Sequence, residues 1–154
     1  MLKFNAIKYQ SILNENEIAI NNIQVKNNIY CLKNDMRGYT GNVYERFGNG
    51  EYKTKGEIKN GLENGVWRRW YKNGQLYLEG HFKNGLKHGK FTIWYKNDQK
   101  EREEYFKNEL KHGERKIWDK DGNILFVGSW LNGEPIGDHI DYNSDGSIAG
   151  IIIY

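Results

Sequence analysis

Glycines fall at positions 41, 65, 89, 113 and 137, each 24 residues after the last. A chain that repeats itself at a fixed short period folds as an array of one supersecondary unit, because each copy must bury its surface against its neighbours. The units are 42–65, 66–89, 90–113 and 114–137, with a partial fifth over 138–154. No insertion is needed to align them. The fifth column reads Arg46, Trp70, Trp94, Trp118 and Tyr142, and the eighth Asn49, Asn73, Asn97, Asp121 and Asp145. The seventeenth reads Ile58, Phe82, Phe106, Trp130 and Tyr154.

Each unit reads as a β-hairpin. In the second, "WRRWY" is a strand by its aromatic content, "KNG" is a turn, and "QLYLEGHF" is the returning strand. Asn and Gly tolerate the positive φ that a tight hairpin turn requires. A three-residue loop over Lys72–Gly74 pairs Tyr71 with Gln75 and Trp70 with Leu76. The longer "KNGLKHG" hands the chain to the next unit. Composition agrees: 5 Trp, 11 Tyr and 6 Phe favour strands over helices. The expected fold is an all-β, elongated, curved, single-layer antiparallel meander of successive hairpins.

Side chains alternate along a strand. Uninterrupted alternation through the turn puts Arg68, Trp70, Leu76, Leu78 and Phe82 on one side, expected as the packed face. Equivalents are Thr92, Trp94, Lys100, Arg102 and Phe106, then Lys116, Trp118, Ile124, Phe126 and Trp130. The other side then carries Trp67, Arg69, Tyr71, Tyr77 and His81, followed by Phe91, Ile93, Tyr95 and Tyr105. Aromatic rings mixed with charge mark a protein-binding surface. The candidate partner-binding residues are therefore Trp67, Arg69, Tyr71, Tyr77, His81, Phe91, Tyr95 and Tyr105.

Residues 1–41 fit the period poorly and read as an N-terminal cap, with a degenerate hairpin turning at Asn27–Asn28. A cap is needed because the first repeat otherwise exposes a raw sheet edge. The apolar "SIAGIIIY" reads as a last strand that must be covered, paired or dimerised. The chain is expected to be a monomer or an edge-strand dimer.

"LEGHFKNGLKHG" and "FVGSWLNGEPIG" resemble the MORN repeat, whose pattern is aromatic, x, Gly, x, aromatic, a glycine turn, then His-Gly. Gly80, Phe82, Gly85, His88 and Gly89 match it, as do Gly128, Trp130, Gly133 and Gly137, with Ile136 in place of the histidine. The third unit departs, with Glu104 and Glu109 replacing glycines. The first has Ile58 and Asn64 in place of the aromatic and the histidine. "WYKNGQL" ahead of that pattern, with "YTGNVYERFGNG" opening the array, resembles the bacterial YwqK-family antitoxins over about residues 39–154. That resemblance implies a curved sheet of hairpins used for binding, and a toxin as partner.

No enzyme signature accompanies the repeats. "GNGEYKTKG" lacks the spacing and Gly-Lys-Ser/Thr ending of a phosphate loop, and no kinase motif is present. His88 and His112 share a column, but two imidazoles do not make a metal site. Cys31 is the only cysteine, which excludes an internal disulfide and fits a reducing cytosol. The start has no uninterrupted apolar core or small-residue cleavage site, so no signal peptide is expected. A net charge of +3 gives no reason to expect nucleic acid. The reading is a cytoplasmic, non-catalytic protein-binding module without cofactor or metal: an antitoxin or immunity protein that occludes a cognate toxin. The alternatives are a phospholipid-surface module and a self-associating scaffold.

Overall fold

A computed structural model describes residues 17–33, 35 and 37–154. The rest of the expected N-terminal cap lies outside the described residues. Three short strands come first: β1 (Glu17–Ala19), β2 (Ile23–Lys26) and β3 (Ile29–Leu32), with a 3-10 turn at Ile20–Asn22. The array follows as β4 (Gly41–Arg46), β5 (Tyr52–Lys59), β6 (Leu62–Trp70), β7 (Leu76–Lys83), β8 (Leu86–Trp94) and β9 (Lys100–Lys107). It continues with β10 (Leu110–Lys111), β11 (Gly113–Trp118), β12 (Ile124–Leu131), β13 (Glu134–Tyr142) and β14 (Ile148–Ile153).

Twelve of these strands form one sheet. From β4 to β14 neighbours in the chain are neighbours in the sheet, all antiparallel, with the short β10 pairing only to β9. β1 closes the N-terminal end in parallel to β4. β2 and β3 form a separate hairpin turning at Asn27–Asn28, both at positive φ. The all-β meander is the architecture the period predicts.

Two kinds of turn alternate. Asn60–Gly61, Asn84–Gly85 and Asn132–Gly133 place both residues at positive φ, the conformation that matches strand twist in a two-residue hairpin. Asn108–Glu109 adopts the same shape with φ 51° and 71°, so a glutamate holds a position that glycine fills elsewhere. The "KNG" turns close as expected: the Tyr71 amide donates to Gln75 O at 2.8 Å, and Gly74 N–H to Tyr71 O at 3.0 Å.

The two-residue turns also bond to the strand starts of the preceding repeat. The amides of Gly61, Gly85, Glu109 and Gly133 donate to the carbonyls of Tyr39, Glu63, Lys87 and Lys111 at 2.8, 2.8, 2.9 and 2.8 Å. Tyr39 thus stands where a preceding repeat would supply its carbonyl, so the N-terminal segment continues the lattice. At the other edge Tyr71 Oη donates to Trp94 O at 2.8 Å and Tyr95 Oη to Trp118 O at 2.9 Å. In the second and third units the Tyr after the Trp column ties the hairpin to the next.

The expected face assignment is corrected by one residue per repeat. After Trp70↔Leu76 the register jumps to Arg69↔Leu78, leaving Tyr77 as a β-bulge. The same irregularity follows the "KNG"-type turns of β4–β5, β8–β9, β11–β12 and β13–β14. One extra residue inverts the phase of everything beyond it. Leu78 and Phe82 therefore share a face with Trp67, while His81, paired with Val66, joins Trp70. Arg102 and Phe106 move across likewise, as do Phe126 and Trp130.

The core lies on the Trp67 face, not the Trp70 face. Ile18, Ile23, Val43, Ile58 and Trp67 form one buried cluster, with Tyr30, Leu32, Tyr39 and Phe82 packed against it. The β1–β3 segment supplies its cover. Trp70, Trp94 and Trp118 form a half-exposed row, not a core.

Candidate protein-binding face

The Trp67 face is organised by a size rule. Its glycines, Gly56, Gly80 and Gly128, each lie under a ring eleven residues further on: Trp67, Phe91 and His139. A Cβ at any of these glycines would run into that ring. Polar ring atoms are satisfied by backbone. Trp67 Nε1–H donates to Glu57 O at 3.1 Å, and His139 Nε2 meets Ser129 O, the same repeat position, at 2.9 Å.

From these rings an aromatic ladder crosses the sheet. Trp67, Phe82, Phe91 and Phe106 follow one per strand, edge to face, with centroids 6.2, 5.3 and 5.2 Å apart. It resumes at Trp130, His139 and Tyr154, with spacings of 4.4 and 4.6 Å. Such pairs each contribute about 0.5–1.5 kcal/mol beyond burial.

The ladder is interrupted once. At β9 and β11 the glycine is Glu104 and the ring is Arg115. Arg115 Nε lies 3.7 Å from one Glu104 oxygen, and Arg102 Nε 3.7 Å from the other. Both Nε atoms are buried without a hydrogen-bond partner. The Arg115 guanidinium stands over Phe126 and Trp130, 5.8 and 5.9 Å from their centroids. Lys87 and Lys111 flank it, 5.0 Å above Phe106 and 5.1 Å above Trp130.

Near the cap the same face sinks into a groove of about 420 Å³, lined among others by Ile20, Tyr30, Glu63, Trp67, Arg69 and Tyr77. Burial raises the Glu63 carboxyl above the usual carboxylate range, against the pull of Arg69 and the Tyr30 hydroxyl that donates to it. Burial, with the Glu63 charge, raises Tyr30 as well. The groove offers a carboxyl and a guanidinium beside an indole and a phenol.

Comparison with known proteins adds one result. Residues 63–84, 87–108 and 111–132 each match the MORN repeat variant. The three matched segments start 24 residues apart, and each runs from one outgoing strand through its return to the next Asn. A comparison with curated proteins gave no match.

Within this array the eight predicted binding residues do not form one surface. Trp67 and Phe91, 3% and 6% exposed, are packing residues held over Gly56 and Gly80, so neither ring can anchor a partner. Arg69 and Tyr77 line the groove. Tyr71 and Tyr95 sit half-buried at the turn edge, their hydroxyls spent on backbone. His81 and Tyr105 are on the opposite face, where Tyr105 pairs with Lys90. That face also holds Glu103, which burial pushes up but hydrogen bonds from Lys100 and Lys90 bring below the usual carboxylate range.

Arg102, Glu104 and Arg115 were missed as a group. Glu104 stood out in the sequence as a departure from the MORN pattern, but its partner is found only by comparing residues eleven apart in each unit. Among the described residues there is no group of three or more His, Cys, Asp or Glu that could hold a metal ion. No helix among them is long and apolar enough to cross a membrane.

Proposed function

We propose that this chain is a non-catalytic binding module of the antitoxin or immunity kind, which occludes a cognate toxin with its Trp67 face. One observation carries the reading. The repeats beyond Trp67 keep the aromatic content of the array but lose its cover. The buried apolar cluster ends at Trp67, and beyond it Phe91 is the one large apolar residue that is fully buried among those described. A one-layer sheet cannot bury both faces within itself. Half-exposed rings interleaved with Arg and Lys are the composition of a protein interface. Arg69 and Tyr77, at the groove, are its polar anchors, with Trp67 and Phe91 as the rigid floor.

A preformed sheet loses little ordering entropy on binding, so its contacts translate into affinity with small loss. The test is co-expression with proteins encoded beside this one. The expected result is a single stoichiometric partner, toxic alone and harmless with this chain present. Absence of such a partner, or binding to anionic vesicles instead, would overturn the reading.

A further inference from the structure

We propose that the ladder's interruption is a specificity element, and that Arg102, Arg115 and Lys111 receive a carboxylate from an acidic segment of a protein partner. This rests on the binding-module reading and adds the partner's chemistry and the place it docks.

The interruption is a coupled change. Wherever the glycine is kept on the Trp67 face, a ring lies over it; where Glu104 replaces glycine, the ring is replaced by Arg115. Packing alone gives no reason for the exchange. Gly80 under Phe91 in the adjacent hairpin solves the same local geometry with apolar contact. Ion pairs buried in place of apolar contacts are weak stabilisers. The exchange therefore replaces an apolar packing contact with partly exposed charge.

The charge count favours an anionic visitor. Glu104 is shared between two guanidinium groups, each Nε 3.7 Å away, beyond hydrogen-bond reach. Neither buried Nε–H has an acceptor, so Glu104 fully satisfies neither arginine, and a second carboxylate would meet the part of each side chain that is still exposed. Lys111 makes no ion pair among the described residues; its ammonium lies over Trp130, as the Arg115 guanidinium does. Lys87 is paired with Glu109 at 3.4 Å and frames the patch. Two guanidinium groups on one carboxylate, with the Lys111 ammonium over the same Trp130 ring as Arg115, complement a second carboxylate. Arginine is suited to that role because its planar fork binds carboxylate bidentately. The side chains of Arg102 and Arg115 are 32% and 21% exposed, so they are partly ordered before contact and still reachable.

The experiment repairs the repeat. The double variant Glu104→Gly/Arg115→Phe copies the Gly80–Phe91 arrangement and is expected to fold with equal or higher melting temperature. A displayed random twelve-residue peptide library is panned on the native chain. The selected peptides are expected to be enriched in Asp and Glu, and to bind more weakly as salt rises. The leading peptide should lose at least about tenfold in affinity on the repaired variant, a loss of about 1.4 kcal/mol. The milder Arg102→Gln and Lys111→Gln variants, which leave Glu104 and Arg115 in place, should each weaken it. An empty selection, no acidic enrichment, or equal binding to the repaired variant would overturn the proposal. If a neutralised toxin still binds the repaired variant, this site falls while the binding-module reading stands.

Discussion

Trp67 lies over Gly56 so closely that a Cβ on Gly56 would stand inside its indole, 2.7 Å from Cε3 and nearer to other ring atoms. The contact joins the first hairpin to the second and closes the buried cluster beneath the N-terminal segment. Gly56→Ala is therefore an overpacking change against a ring that is already buried. The expected cost is about 2–3 kcal/mol, and Trp67→Ala should cost about 3–5 kcal/mol by leaving a cavity. Urea unfolding of both variants checks this; a neutral Gly56→Ala would mean that the indole can move aside.

Glu109 is the reverse case. It holds φ +71° where three sister turns have glycine. Left-handed backbone costs a residue with a Cβ about 1–2 kcal/mol. Its carboxylate recovers part of that by accepting from Lys87 N at 2.8 Å. Glu109→Gly is expected to stabilise by about 0.5–1 kcal/mol. A fall in melting temperature would assign the carboxylate contact more weight than the backbone strain.

Glu63 gives the pH dependence a sign. Burial raises its pKa in the folded chain, so the native state binds the proton more tightly than the unfolded one. Its contribution to stability is fully present below the unfolded carboxylate pKa and is lost as pH rises through the folded value. Glu63→Gln should therefore raise stability at pH 7 and change it little near pH 4. Denaturant midpoints at the two pH values measure the difference. A variant less stable at pH 7 would show that the Arg69 and Tyr30 contacts outweigh burial.

Tyr71 and Tyr95 perform one task in successive repeats, each donating its hydroxyl to the carbonyl 23 residues on. Tyr71→Phe and Tyr95→Phe should each cost about 0.5–1.5 kcal/mol. The two bonds share no partner, so the double variant should show the sum to within about 0.5 kcal/mol. A clear departure from additivity would reveal strain carried from one hairpin to the next.

The sequence by itself determined the repeat, its hairpin and its turns. Each rests on local chemistry: Asn-Gly pairs at positive φ, the Lys72–Gly74 loop with Trp70 opposite Leu76, and the Asn27–Asn28 turn ahead of the array. Which face is buried was decided by the tertiary structure. Tyr77 reads as one more alternating strand residue, and only pairing with β6 reveals it as a bulge. That residue and its counterpart Glu101 in β9 sent Phe82 and Phe106 to the Trp67 side, turned Trp67 and Phe91 from exposed anchors into buried packing, and separated His81 and Tyr105 from the set. Alternation has a period of two, so one unpaired residue inverts the faces of every position beyond it. The Glu104–Arg115 exchange was written in the columns all along. It became a site only once β9 and β11 set Arg102 and Arg115 on either side of one carboxylate.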